Sequence, residues 1–212
     1  MPDPATADTR RPPVPPRHAA SLIVLRHRPA GPETLMGMRG AGHRFMPNCL
    51  VFPGGAVDPA DSTAPAAAEL RPEVMRHLRL AADPPLARAL AIAAARELEE
   101  ETGLTLGTPP RLDGFDYLCR AVTPPGNPVR FDARFLVVDS ALVSGRLAGS
   151  GELEALRWVG LAEALTAPMA FVTQNVIHRL QDWLAMTPQA RGARERTPLL
   201  FDRRWTMEGG GL

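Results

Sequence analysis

The sequence predicts an α/β/α sandwich built around a mixed central sheet. Short apolar segments with the composition of strands recur between residues 21 and 159. One long helical segment interrupts them, and a second, amphipathic helical segment follows them at Phe171–Met186. A sheet that alternates with helices in this way is usually covered by helices on its faces, which is the basis of the predicted fold.

Six segments are predicted as strands, and turn-forming residues separate them. They are Ser21–His27, Thr34–Arg39, Cys49–Phe52, Asp113–Val122, Val129–Asp139 and Leu153–Val159. The first two form a hairpin around Gly31 and Pro32. A short helix is predicted at Leu161–Leu165, and the end of the chain, Thr197–Leu212, is left open, with Leu199–Phe201 as an optional strand.

Composition limits the class of protein. The 212 residues are enough for one domain with a sizeable core, and the 45% hydrophobic and 22% charged residues are ordinary for a globular protein. A formal net charge of +1 gives no electrostatic preference for nucleic acid or an anionic membrane. Without an apolar membrane-spanning run or a signal peptide, a cytoplasmic protein is expected. Cys49 and Cys119 are accordingly expected as buried, reduced thiols.

The long helix is the most informative segment. Asp83 is its predicted N-cap, and Gly103 is a natural left-handed terminator. At about 100° per residue, three glutamates near its end share one face, which continues upstream into apolar residues, while Glu99 points away. The three are Glu97, Glu100 and Glu101. We therefore expect their carboxylates where the helix packs against the body of the protein.

These glutamates lie in an electrostatically poor place. Carboxylates spaced by three and four residues repel one another, and the end of a helix carries partial negative charge of its own. A divalent metal ion would satisfy all of them. The alternative is a solvated charged face. Arg96 is placed to reach Glu100 one turn on and to orient it.

A glycine pair forms the second motif. Phe52-Pro53-Gly54-Gly55 follows an apolar strand, and paired glycines permit a ligand or metal to approach the backbone closely. Alone, this motif is more typical of an ordinary strand-to-loop turn.

Together the two motifs resemble the signature of the Nudix hydrolase family. In that signature a Gly-Gly loop is followed by Glu, and then by Arg-Glu-aliphatic-any-Glu-Glu-any-Gly-aliphatic. Every fixed position of the second half matches between Arg96 and Leu104. The first half departs from it, because Asp61 stands where Glu is expected and residues 62–95 replace a spacer of seven. Inserted signatures of this kind are known in the subgroup related to coenzyme A diphosphatases, which the chain resembles.

The resemblance implies one domain with two additions. Residues 1–17 are rich in proline and predict an extended tail, and residues 18–212 form a single Nudix domain. Residues 62–83 are the expected helical insert within the signature, with a helix from Glu73 to Leu80. The insert is expected either to cap the pocket or to form a dimer contact, and a homodimer is one option for the assembly.

The resemblance also implies a chemistry. Nudix enzymes cleave a diphosphate linked to another moiety, using water and usually Mg²⁺ or Mn²⁺, ions that prefer oxygen ligands. The implied metal ligands are the side chains of Glu97, Glu100 and Glu101 and the carbonyl of Gly55. Arg96 would orient the carboxylates, and Gly54 and Gly55 would lie against the substrate. The general base is left open between a glutamate of the helix and one from a later loop, Glu152 or Glu154.

Two arginines bear on the substrate. Arg39 and Arg44 are spaced before Phe52 as in coenzyme A-cleaving members of the family, although Gly37 and Asn48 depart from that motif. Both could grip phosphate oxygens. Equally, Arg39 could be a surface charge and Arg44 the partner of a carboxylate. A further charged run, Arg130, Asp132 and Arg134, is expected as an exposed ion-pair ladder rather than a pocket wall.

Three functions remain open at this point. The first is a metal-dependent diphosphatase acting on coenzyme A or acyl-coenzyme A. The second is a hydrolase of ADP-ribose, NADH or dinucleoside polyphosphates that uses the same machinery. The third is a Nudix-fold binding or regulatory module without catalysis, which the intact glutamates argue against, since repelling carboxylates have no use without chemistry.

Overall fold

A computed structural model describes residues 14–40, 48–149 and 151–209. The strands are β1 (Arg17–Arg28), β2 (Gly31–Arg39), β3 (Leu50–Val51), β4 (Gly54–Ala56), β5 (Leu104–Thr105), β6 (Asp116–Val122), β7 (Phe131–Asp139), β8 (Ser144–Gly145), β9 (Leu153–Gly160), β10 (Thr197–Phe201) and β11 (Arg204–Glu208). The helices are α1 (Pro72–Leu78), α2 (Pro84–Thr102), α3 (Leu161–Ala164), α4 (Phe171–Leu184) and α5 (Pro188–Gly192).

In these ranges, nine strands form one mixed sheet. Its order is β11-β10-β6-β7-β1-β2-β3, with β4 paired to β1 and β9 paired to β2. β1 is parallel to β7 and β10 is parallel to β6, whereas the other pairs are antiparallel. The short strands β5 and β8 pair separately. The predicted mixed sheet is therefore confirmed.

The sheet separates two hydrophobic cores. Successive residues of a strand point to opposite faces, and in β1 Leu22 and Val24 belong to one core while Ile23 and Leu25 belong to the other. Residues of helix α2 pack in the first core, and residues of α4 pack in the second. Helices therefore cover both faces, and the predicted α/β/α sandwich is confirmed.

β1 changes partners along its length, and this divides the sheet near the glycine pair. Residues 19–21 pair with β4, while residues 25–28 pair with β2. Between these pairings the sheet divides, and the glycine pair of β4 lies beside the division. The division allows residues of α2 to line the same cavity as residues of the sheet.

Helix α2 begins and ends where the sequence predicts. The Asp83 side chain accepts a hydrogen bond from the Leu86 N–H at 2.9 Å, and Gly103 has φ +70° and donates to the Glu99 carbonyl. Its alanines are buried against the sheet. Because small side chains permit a close approach of helix and strand, this helix is held firmly relative to β1 and β4.

Strand pairing overrides local polarity at both ends of the described chain, and the structure differs from the sequence prediction there. β1 begins at Arg17 rather than Ser21, since Arg17 and His18 lie in parallel register with Phe131 and Asp132 of β7. The open C-terminal segment forms a complete hairpin, β10 and β11, of which only Leu199–Phe201 carries a strand signal. The glycine-rich residues 210–212 lie outside the described residues.

The prediction that Arg130, Asp132 and Arg134 form an exposed ladder is wrong. All three are buried, and Arg134 is only 1% exposed. Asp132 accepts from Arg120 at 2.6 and 2.9 Å and pairs with Arg134 at 2.8 Å. The alternation of charges on one strand is the same for an exposed ladder and a buried network. Only the layer that covers the strand distinguishes the two. Here Asp132 and Arg134 compensate one another, and Arg130 donates to the Thr123 carbonyl.

The cysteines and the helices also bear on the predictions made from composition. Cys49 and Cys119 are free thiols, as predicted, although only Cys119 is fully buried. In the part of the chain that the structure describes, no helix is long and apolar enough to cross a membrane.

The segment between Asp61 and α2 packs onto the C-terminal part of the chain. Its helix α1 is two residues shorter at the end than the predicted Glu73–Leu80. Arg76 donates to the Gly192 carbonyl at 2.6 Å, and the His77 Nε2 lies 2.8 Å from the Arg194 carbonyl oxygen. Since a carbonyl only accepts, Nε2 carries the proton of the neutral ring.

We expect the stability of this docking to depend on pH through His77. Burial lowers the pKa of His77 below its ordinary 6.5, and the hydrogen bond to Arg194 only partly opposes this. The unfolded chain therefore binds more protons below pH 6.5, and the free energy of unfolding should fall as the pH drops through that value. Denaturant unfolding from pH 7.5 to 5 should show a weaker slope for His77→Gln than for the wild type.

The matched control is His27→Gln, which replaces an exposed imidazole. It should keep the wild-type slope. An unchanged slope in His77→Gln would contradict the assignment.

Candidate active site

The two sequence motifs meet in the structure, although the residues that join them, Gly54 and Glu101, are 47 positions apart in the chain. Glu101 is 3% exposed and accepts a hydrogen bond from the Gly54 N–H at 2.8 Å. Glu97 packs directly on Gly55, since a Cβ at that position would lie 2.6 Å from Glu97 Oε2 and nearer still to Oε1. Gly54 must also be glycine for the backbone to approach this closely. It has φ +152°, and a Cβ added there would lie 2.6 Å from the Cα of Ser21.

Arg96 organises the acidic end of α2. It donates to Glu97 at 2.9 Å and to Glu100 at 2.8 Å, the second contact being the one expected from the sequence. It also donates to the carbonyl of Ala56 in β4 at 3.0 Å. Hydrogen bonding to Asp61, followed by the neighbouring Glu97 charge, raises the pKa of Arg96 above its ordinary value. Arg96 is therefore a permanent cation that links the helix to β4.

Asp61 anchors Arg96 from the opposite side. It is 2% exposed and accepts from Arg96 Nε at 3.0 Å and Nη2 at 3.1 Å, a bidentate pair. The Asp58 N–H also donates to Asp61 Oδ2, at 2.8 Å. In the sequence, Asp61 stands where the signature has Glu, and residues 62–95 separate it from Arg96. The structure places it against Arg96 because the chain between them loops out and returns.

We expect Asp61→Asn to weaken both folding and activity. Loss of the charge removes one half of a buried bidentate pair, which should lower the free energy of unfolding by about 1–3 kcal/mol. Arg96 would also be freer to move, and Glu97 and Glu100 with it. Urea denaturation and kcat measure the two effects.

Asp58→Asn is the control, since Asp58 is 59% exposed and 3.9 Å from Arg96. It should change the free energy of unfolding by no more than about 0.5 kcal/mol. Equal effects of both substitutions would show that Asp61 is not the anchor.

The expectation that all three glutamates lie on a packed face holds for two of them. Glu100 has a side chain that is 57% exposed, whereas Glu97 and Glu101 are covered by the glycine pair. Glu100 lies on the outer edge of the helix face, beyond the sheet. Among the described residues, Arg96 is its hydrogen-bond partner. Glu99 is exposed and points away, as expected.

Burial makes ionisation of the two covered carboxylates unfavourable. It raises the pKa of Glu101 to about 7, against the opposing hydrogen bond from Gly54, and the Glu97 charge adds to the rise. Burial also raises the pKa of Glu97, while Arg96 opposes it. Two neighbouring carboxylates that resist ionisation are stabilised by an added cation, and oxygen donors suit Mg²⁺ or Mn²⁺. The residues therefore fit a divalent metal ion.

The carboxylates are not arranged as a compact metal centre. Within residues 14–40, 48–149 and 151–209, no three His, Cys, Asp or Glu side chains form a group that could hold a metal ion. Arg96 draws Glu97 and Glu100 to itself, while Glu101 is hydrogen-bonded to Gly54. Binding a cation would require these side chains to turn towards it.

A cavity of about 920 Å³ opens beside the carboxylates. Glu97, Glu101 and Glu152 line it, whereas Glu154 does not. Arg39 lines it as well, and its Nε is buried with no hydrogen-bond partner. Of the two arginines singled out upstream, Arg39 is thus in the cavity, and Arg44 lies outside the described residues.

Comparisons with known proteins identify a domain and a fold. A family model described as the NUDIX domain matches residues 87–180. A Nudix hydrolase from Alicyclobacillus acidocaldarius is 26% identical, with a TM-score of 0.60 over 77% of this chain and 90% of that one. A MutT Nudix hydrolase from Burkholderia pseudomallei is 20% identical, with a TM-score of 0.52 over 79% and 99%. Among curated proteins, none matches.

The family match and the fold point to the same conclusion. The family model matches the part of α2 that carries the glutamates. The similar structures align with more than three quarters of the chain. Residues 87–180 therefore carry a Nudix domain, the fold is that of Nudix hydrolases, and the chain is an enzyme of the pyrophosphohydrolase class.

Proposed function

We propose that the chain hydrolyses the diphosphate linkage of a nucleoside-diphosphate derivative, with coenzyme A or acyl-coenzyme A as the substrate class and Mg²⁺ or Mn²⁺ as cofactor. The observation that carries this proposal is the contact of Glu97 and Glu101 with the Gly54–Gly55 backbone, inside a cavity that also holds the unpaired Nε of Arg39. Acidic metal ligands and a phosphate-binding cation thus line one cavity.

Nudix hydrolases generally need divalent metal ions. The residues that would hold the ion are Glu97, Glu100 and Glu101, with the carbonyl of Gly55. When bound, the ion neutralises phosphate charge and lowers the pKa of a water molecule. Arg96 orients the carboxylates through the contacts described above. Its guanidinium is hydrogen-bonded to three carboxylates and a carbonyl, so it is a positioning residue rather than a substrate ligand.

Two further residues act on the substrate side. Arg39 donates N–H groups to phosphate oxygens, because its guanidinium has no carboxylate partner among the described residues. Glu152 is exposed on the cavity wall and close enough to disfavour the charges of Glu97 and Glu101. This position supports Glu152 as the general base that accepts a proton from water. Glu154 is the weaker candidate, since it lies outside the cavity lining.

The coenzyme A class is supported by two features. The upstream arginine motif resembles that of coenzyme A-cleaving relatives, and Arg39 from that motif lies in the cavity. The cavity volume of about 920 Å³ is near the upper limit for small-molecule sites, which suits a large substrate.

A substrate panel tests the proposal. The enzyme is incubated with Mg²⁺ or Mn²⁺ and coenzyme A, acetyl-coenzyme A, ADP-ribose, NADH, a dinucleoside polyphosphate or ATP, and the products are identified. Release of 3′,5′-ADP with 4′-phosphopantetheine supports the proposal. Cleavage of ADP-ribose, NADH or the dinucleotide without cleavage of coenzyme A supports the alternative substrate class.

The metal requirement is tested separately. Millimolar Mg²⁺ or Mn²⁺ should raise the melting temperature and be required for turnover, and EDTA should reverse both effects. If neither ion does so, the catalytic proposal is contradicted and a non-catalytic binding module becomes the better description.

A further inference from the structure

The cavity that holds the carboxylates extends far beyond them, across the sheet towards β10. Its lining includes one residue from each of five strands, and these residues are neighbours in register: Ala56, Ala19, Ala133, Ala121 and Leu200. At about 4.8 Å between strands, the row is roughly 19 Å long. The small alanine side chains leave the space above the strands open. We call this row the alanine floor.

The turn between β10 and β11 borders the far end of the alanine floor. Asp202 and Arg203 form this two-residue turn and both line the cavity. Their φ angles are +48° and +59°. Turns of this type favour Asn-Gly, and a side chain in the left-handed region costs about 1 kcal/mol relative to glycine. The turn requires positive φ at both positions, so these angles follow from the hairpin, and Arg203 occupies the position that favours glycine.

Arg203 is also poised to bind an anion. Its guanidinium lies 4.0 Å from the centre of the Phe171 ring, which itself lines the cavity. With the residues that the structure describes, the Arg203 side chain forms neither an ion pair nor a hydrogen bond beyond this stacking. A guanidinium stacked on a ring keeps its N–H groups free in its plane. These donors suit a phosphate or carboxylate group.

We propose that Arg203 is a specificity-determining residue that binds an anionic group at the end of a substrate arm lying along the alanine floor. This inference rests on the proposed function, because the scissile diphosphate must lie at the carboxylates for the arm to reach the turn. The anionic group is either a phosphate on the nucleotide or a carboxylate at the end of an acyl chain.

Substrate pairs that differ by that one group test the inference. The pairs are coenzyme A with dephospho-coenzyme A, glutaryl-coenzyme A with hexanoyl-coenzyme A, and 2′-phospho-ADP-ribose with ADP-ribose. Arg203→Gln should lower kcat/KM about tenfold for the charged member of a pair and leave the uncharged member unchanged, since one charge-assisted hydrogen bond is lost. The pair that responds identifies the source of the anion.

Two further variants separate specificity from folding. Arg204→Gln removes the adjacent arginine, which does not line the cavity, and should leave every kcat/KM unchanged. Arg203→Gly suits the turn and should lose the same discrimination with a melting temperature equal to or above that of the wild type. Equal effects of Arg203→Gln on both members of every pair, or no effect, would overturn the inference. Absence of wild-type turnover on all six compounds would overturn the proposed function, and this inference with it.

Discussion

Replacing Gly55 with alanine should lower kcat/KM by about a hundredfold while leaving the fold intact. The new Cβ would overlap the carboxylate of Glu97, the far end of a flexible side chain that can turn aside. The backbone at Gly55 is not in the left-handed region, so alanine is tolerated there. Glu97 is a proposed metal ligand, and displacing such a group by about an ångström is enough to cost about two orders of magnitude in rate.

The control for this experiment is Gly160→Ala, because no atom lies within 4 Å of a Cβ at Gly160. Both variants should melt close to the wild type when metal is absent. Only Gly55→Ala should lose activity and the stabilisation by Mg²⁺ or Mn²⁺. Full activity in Gly55→Ala would show that the contact between Glu97 and the glycine backbone has no part in the reaction.

Glu101→Gln should remove most of the activity and raise the stability of the metal-free protein. The amide oxygen can still accept the hydrogen bond from Gly54, but it cannot supply charge to a metal ion. We expect a fall in kcat of about a hundredfold or more. At pH 8 the wild type must bury an ionised carboxylate here, so the neutral side chain should raise the melting temperature by about 2–4 °C.

Substitutions of two other glutamates in the same helix serve as controls. Glu99→Gln, on the exposed side of α2, should change neither quantity. Glu100→Gln should lose activity without the gain in stability, because Glu100 is exposed and paired with Arg96. A Glu101→Gln variant that keeps wild-type turnover would exclude Glu101 from the metal site.

The sequence predicted helix α2 almost completely, since the information that specifies a helix is local. An aspartate cap, a glycine terminator and a run of alanine, leucine and glutamate specify a helix with little help from the rest of the chain. The resemblance between Arg96 and Leu104 then identified the family. The hairpin of β1 and β2 and the strands on either side of Thr123 were likewise predicted within a few residues.

Burial was the property that the sequence predicted least well. Arg130, Asp132 and Arg134 alternate in the same way on an exposed strand and in a buried network, and Glu100 shares a helix face with two covered glutamates but is itself exposed. Whether a side chain is covered depends on which elements pack above it. Those elements come from distant parts of the chain, and no local pattern encodes them.

The sequence by itself indicated the Nudix domain, the pyrophosphohydrolase class and the proposed metal-binding face between Arg96 and Glu101, because these depend on spacing along one helix. Only the tertiary structure placed Asp61 against Arg96, Glu152 rather than Glu154 in the cavity lining, and Arg203 on the cavity wall. Each of these depends on distances between segments 35 or more residues apart, set by strand pairing and helix packing rather than by local conformational preference.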